Sequence, residues 1–142
     1  MKTEEINKLK TYFSKQPVEL VYLFGSMAKG LGKAYSDIDF AILFKKELSG
    51  QKRFDLKLKI IGDLCFILKT DSIDVVDLKD ASPFLKFEAM KPRYEIFINN
   101  EVERVEFESR ALSEYLDIQY YLRRHINKGL QGLKQEYGIR TE

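Results

Sequence analysis

The chain is short of most features that mark a specialised scaffold. It has a single cysteine, Cys65, so no intrachain disulfide can form. Cys65 lies in the apolar run Leu64-Cys65-Phe66-Ile67-Leu68 and reads as a small buried hydrophobe. No uninterrupted apolar run approaches the roughly 20 residues of a membrane span, so no membrane partner is expected. The first residues, Met1-Lys2-Thr3-Glu4-Glu5, lack the basic start and apolar stretch of a secretory leader, and a reduced, cytoplasmic setting is expected. Neither charge dominates: 24 Lys and Arg stand against 22 Asp and Glu, a net +2. Overall charge therefore argues neither for nor against nucleic acid. Internal repeats and low-complexity linkers are missing as well.

What remains is an ordinary globular composition, with 44% hydrophobic and 13% aromatic residues. A length of 142 residues suits one domain with a core of its own. That domain, residues 1–142, is expected to have an ordered core over about 4–127. A frayed tail is expected over about 128–142, where Gly129, Gly132 and Gly138 fall.

Ile6, Leu9, Tyr12 and Phe13 recur at helical spacing from Glu4 to Ser14, and Pro17 follows. The run 18–24, VELVYLF, is short and rich in β-branched and aromatic residues, as a buried strand is. Gly25-Ser26 then opens a short helix that fails at Gly30 and Gly32. A second strand is expected from Asp37 to Phe44, and Ser49-Gly50 breaks the chain. Phe54, Leu58, Ile61, Leu64, Cys65 and Leu68 give a helical stripe over 51–68. A third strand is expected over 72–78, then a helix capped by Ser82-Pro83 that stops before Pro92. A short fourth strand at 95–98, a turn at Asn99-Asn100 and a last helix from about Glu106 complete the order. The class is α+β: a small mixed sheet with helices packed on it.

The chemistry concentrates between Gly25 and Asp39. Gly25 permits a tight turn and close approach of backbone to a phosphate. Ser26 offers a hydroxyl and a helix-starting N–H, where the dipole favours an anion. Lys29 and Lys33 can neutralise phosphate charge, and Ser36 can add a hydroxyl. Each also has a plainer reading: Ser26 as a helix cap, Ser36 as a turn cap, the lysines as surface charges. Asp37 and Asp39 are two apart on a strand, so they share a face with Cα atoms ~7 Å apart. Their carboxylates can converge on divalent ions, and two-metal phosphoryl chemistry uses ions about 4 Å apart. A third acid must come from a neighbouring strand, and Asp74 and Asp77 are the candidates on opposite faces. Asp74, flanked by Ile73 and Val75, is favoured because a metal would compensate an acid in a buried strand. It can also take the proton of an attacking hydroxyl. Asp77, near the strand end, reads as structural.

Gly25-Ser26, ten intervening residues and Asp37-Ile38-Asp39 resemble the signature of the minimal nucleotidyltransferase (MNT) family, which has the polymerase-beta-like nucleotidyltransferase fold. Met27-Ala28-Lys29-Gly30 follows the family's x-Ala-Arg-Gly, with lysine in place of arginine. Ile73-Asp74-Val75-Val76-Asp77-Leu78 matches the strand that carries the family's third acid. The resemblance continues through Ser82-Pro83 to the helix around Phe107–Asp117. It implies magnesium-dependent transfer of AMP from ATP. Asp37, Asp39 and Asp74 would bind two Mg2+ ions, and Gly25, Ser26, Lys29 and Ser36 would hold the nucleotide. It further implies an antitoxin whose partner is a HEPN-domain RNase toxin, inactivated by AMPylation of a tyrosine. HEPN toxins carry Arg, four to six residues, then His. The one histidine is His125, and Ile118, Gln119 and Tyr120 stand where that arginine would fall, so this chain is not the toxin. Two other readings stay open: a nucleotidyltransferase acting on a small molecule, and a non-catalytic antitoxin that masks its toxin by binding. Direct contact with nucleic acid is not expected.

Overall fold

Pro17 and the helical spacing before it shape the first turn of the fold. A computed structural model of the chain describes residues 2–25, 37–91 and 93–138. Helix α1 (Thr3–Ser14) buries Leu9 and Phe13 and gives way to strand β1 (Val18–Phe24). The short helix expected after Gly25 lies outside the described residues. Strand β2 (Ile38–Phe44) leads to helix α2 (Gly50–Leu68), strand β3 (Ile73–Asp77), helix α3 (Pro83–Met90), strand β4 (Tyr94–Ile98) and helix α4 (Glu101–Glu136).

Capping explains where the helices begin. Ser49, expected as a break, accepts from the Lys52 N–H at 3.2 Å and caps α2. Ser82 accepts from the Leu85 N–H at 3.2 Å, with Pro83 in the first turn of α3. Asn100 accepts from the N–H groups of Val102 and Glu103, so α4 starts at Glu101 instead of about Glu106. The same helix runs through residue 128, where a frayed tail is expected, and ends only at Glu136. Gly129 and Gly132 cost it about 1 kcal/mol each relative to alanine, which a helix already nucleated upstream can absorb. Gly138, with φ +68°, sits just past the end in the left-handed conformation that closes many helices.

The sheet has the order β3-β2-β1-β4. β1 is antiparallel to both β2 and β4, and β2 is parallel to β3. Alternation along the strands divides the core. One face carries Val21, Leu23, Phe40, Ile42 and Val75 with Leu9 and Phe13 of α1 and Ile60 and Leu64 of α2. The other carries Leu20, Tyr22, Phe24 and Ala41 with Ala89 of α3 and Phe107 of α4. On that second face the Tyr22 hydroxyl donates to Glu108 at 2.7 Å, and the Arg93 guanidinium lies 4.5 Å from the Tyr22 ring centre. Arg93 and Arg104 both pair with Glu108, at 2.6 and 2.9 Å. Burial and the bond to Glu108 push the Tyr22 hydroxyl well above its ordinary pKa, so it stays a donor.

Candidate active site

Register brings the acids together. Asp39 is opposite Asp74 across the parallel β2–β3 pair and opposite Phe24 across the antiparallel β1–β2 pair. Asp39 shares its sheet face with Ala41, and Asp74 shares it with Val76, both in the core cluster beneath α3 and α4. Asp37 immediately precedes β2 and continues the same alternation. All three acids thus belong to one face at one end of the sheet.

Gly25 closes the site from the β1 side. Its φ is +76°, a conformation glycine adopts without strain. A Cβ added there would come 2.8 Å from Oδ2 of Asp39. The backbone at the end of β1 therefore packs directly on the Asp39 carboxylate. Ser26, Lys29, Lys33 and Ser36, the rest of the expected phosphate grip, lie outside the described residues.

The electrostatics identify Asp39 as the centre of the cluster. Burial, then the charge of Asp74, then that of Asp37, hold its carboxyl above the usual carboxylate range. The ion pairs among the described residues involve none of these three acids. A hard divalent cation suits an all-oxygen donor set of this kind, and it would relieve the like-charge repulsion that raises Asp39. Among the described residues, the side chains are not drawn together closely enough to chelate an ion as they stand. Oδ1 of Asp74 accepts from the Val75 N–H at 2.9 Å.

One expectation about β3 needs correction. Asp74 is exposed on an edge strand, so the argument that burial alone makes it costly does not apply. Its place beside Asp39 comes from strand register instead. Asp77 takes a structural place in a cluster with Arg53. It accepts from Arg53 Nε at 2.9 Å and from the Lys79 N–H at 3.0 Å. Arg53, buried in the first turns of α2, also donates to Asp80 and to the Leu48 carbonyl. This cluster ties α2 to the far end of β3. No local pattern signals it, because Arg53 and Asp77 are 24 residues apart.

Access to Asp74 is open on the outer side of β3. A cleft of about 330 Å³ runs along the outer edge of β3, with Asp74, Phe54, Lys57 and Leu85 on its walls. A second cleft, of about 270 Å³, is lined by Leu43, Phe44, Lys79 and Arg110. It lies at the opposite end of β2 from Asp37 and takes no part in the acid cluster.

A three-acid sheet end with a glycine turn packed on it defines a nucleotidyltransferase domain. The chain belongs to the polymerase beta nucleotidyltransferase family, whose sequence pattern matches residues 7–102. It is 37% identical over 68 residues to the protein adenylyltransferase MntA of Shewanella oneidensis. That match takes in 48% of this chain and 45% of the relative, so the chain spans about half the length of the curated relative it matches. A chain of a solved toxin–antitoxin complex with AMP-PNP superposes with a TM-score of 0.66 at 25% identity, covering 92% of this chain and 99% of that one. A chain of the complex between a tri-AMPylated Shewanella oneidensis HEPN toxin and its MNT antitoxin gives 0.63 at 25% identity, with the same coverage.

Proposed function

We propose that this chain is a protein adenylyltransferase that serves as an antitoxin. It transfers AMP from ATP to a tyrosine of a HEPN-domain RNase toxin and so neutralises it, in the cytoplasm. The observation that carries the chemistry is the register of Asp39 against Asp74, with Asp37 close by and Gly25 packed on Asp39. The choice of ATP and of a protein acceptor is supported by the relatives: an adenylyltransferase, an AMP-PNP complex and an AMPylated toxin.

In the reaction, the tyrosine oxygen attacks the α-phosphorus of ATP. The bond from that phosphorus to the oxygen bridging the β-phosphate breaks, and pyrophosphate leaves. The tyrosine proton passes to the carboxylate of Asp74, which is exposed and open to an incoming protein. Asp37 and Asp39 would hold two Mg2+ ions, with Asp74 sharing one, and the metal would supply positive charge against the triphosphate. Gly25 and Ser26 would cradle the phosphates, and Lys29 and Ser36 would add contacts to the nucleotide. The protein's share is positioning and charge stabilisation.

Mass spectrometry of the partner toxin, incubated with this chain, ATP and magnesium, tests the proposal. The toxin is expected to gain one or more AMP masses on tyrosine, and Asp37→Asn with Asp39→Asn is expected to abolish the gain. An unchanged toxin mass would refute the transfer. Full neutralisation by the doubly substituted chain, at matched amounts, would assign neutralisation to binding instead.

A further inference from the structure

The face of α4 that packs on the body does not stop where the body stops. Phe107 lies in the core, Ala111 is buried, and Tyr115 stacks on Phe87 with ring centres 3.9 Å apart. Beyond Tyr115, residues 116–136 are exposed except for partial cover at Gln119 and Lys134. This projection is about 30 Å long at 1.5 Å per residue. At about 100° per residue, Ile118, Leu122, Ile126, Leu130, Leu133 and Tyr137 fall within an arc of roughly 120° that continues the packed stripe. Leu122, Ile126, Leu130 and Leu133 are 45%, 59%, 49% and 51% exposed. Gly129 and Gly132 lie at or beside this stripe, and a Cβ at either would meet nothing within 4 Å, so another backbone can approach closely there.

Charge selects the occupant. Across residues 116–136 four cations, Arg123, Arg124, Lys128 and Lys134, stand against two acids, Asp117 and Glu136, one near each end. On the same helical wheel Arg123 and Lys134 border the stripe on one side, while His125 borders it on the other with Lys128 about 80° beyond that edge. Two copies of this helix would bring the cations of its middle turns together, which disfavours self-association. A nucleic acid would match the cations but leave the aliphatic stripe in water. A protein groove with an apolar floor and acidic rims satisfies both.

We infer that α4 beyond Tyr115 is a docking arm for a protein partner, seating its aliphatic stripe in an acid-rimmed apolar groove. Resting on the function proposed above, that partner is the HEPN-domain toxin, and the arm holds the acceptor protein independently of the acid site. Binding then splits into two parts: the stripe governs how long the complex lasts, and the cations govern how fast it forms and how salt weakens it.

The test measures binding of the full chain to the purified toxin by calorimetry or surface plasmon resonance, without ATP. Leu122→Asp with Ile126→Asp is expected to weaken binding at least 100-fold. Reversal of Arg123, Arg124 and Lys128 to Glu is expected to slow association at least tenfold at low salt and to invert the salt dependence, so that added salt speeds binding. Circular dichroism checks that both variants keep the wild-type helix content. Asp37→Asn with Asp39→Asn is expected to bind like wild type, so loss of AMP transfer with intact docking would count against the proposed function alone. Wild-type affinity in the Leu122/Ile126 variant overturns the docking arm, even if AMP transfer persists. So does a wild-type homodimer by light scattering that this variant abolishes. Arm-dependent binding to single-stranded RNA or to phosphatidylserine vesicles, with toxin binding unaffected, overturns it too.

Discussion

Asp39 is held above the ordinary carboxylate range by burial and by the charges of Asp74 and Asp37, which makes it a liability in the metal-free protein. A carboxyl whose folded pKa is raised favours folding at low pH and loses that advantage as pH rises through the folded value. Asp39→Asn removes the penalty. At pH 7 without magnesium, the Asn variant is expected to melt at a higher temperature than the wild type. The gap is expected to close as pH falls through the carboxylate range, and melts at several pH values check this. Magnesium should stabilise the wild type and do little for the variant. Protons compete for a raised carboxylate at higher pH than usual, so metal affinity should fall off early on the acid side. Gly25 is the second sensitive position. Alanine there meets both a left-handed φ and Oδ2 of Asp39 at 2.8 Å. Gly25→Ala is expected to cost about 1–2 kcal/mol in urea unfolding and, by shifting Asp39, most of the transferase activity.

At the scale of elements, the strand and helix types were legible because each carries its own period and punctuation. β1, predicted over 18–24, is observed there, and Ser82-Pro83 marks the start of α3 as a cap and first-turn proline should. The pairing of Asp37 with Asp39 also follows from strand period alone. The place of Asp74 opposite Asp39 was not legible: it depends on which strand β3 lies beside, and β3 is an edge, which no local pattern encodes. The anchoring of α2 was invisible for the same reason, since Arg53 reads as one more polar residue between apolar positions until Asp77 arrives from β3. With side chains 7% and 13% exposed, the Arg53–Asp77 pair is a largely buried one. Arg53→Met is expected to cost about 3 kcal/mol, because Asp77 is left without a counter-charge. Asp77→Leu made on that background is expected to restore much of the loss, since a hydrophobic pair of similar size avoids burying a lone charge. Chemical denaturation of the two variants decides it.

At the scale of the whole molecule, stability is divided unevenly. The sheet buries Val21, Tyr22, Phe40 and Ile42 completely, and their amides open only when the domain unfolds. The outer half of α4 has no such support: apart from its own turns, residues 120–133 present every side chain to solvent. Helical hydrogen bonds without tertiary cover are weak protection for a segment of about 15 residues, and two internal glycines weaken them further. Hydrogen exchange of the free chain is therefore expected to show amides of 120–136 exchanging at least a hundredfold faster than those of β1 and β2. Adding the toxin at saturating concentration is expected to slow the outer α4 amides specifically, with smaller changes in the sheet. Slow exchange of that segment in the free chain, persisting on dilution, would mean that another part of the molecule covers it, and the solvent-exposed arm would then be wrong. The contrast also bears on catalysis. An arm that orders on contact can hold a large acceptor while the acid cluster, carried on the rigid end of the sheet, keeps its register for the nucleotide.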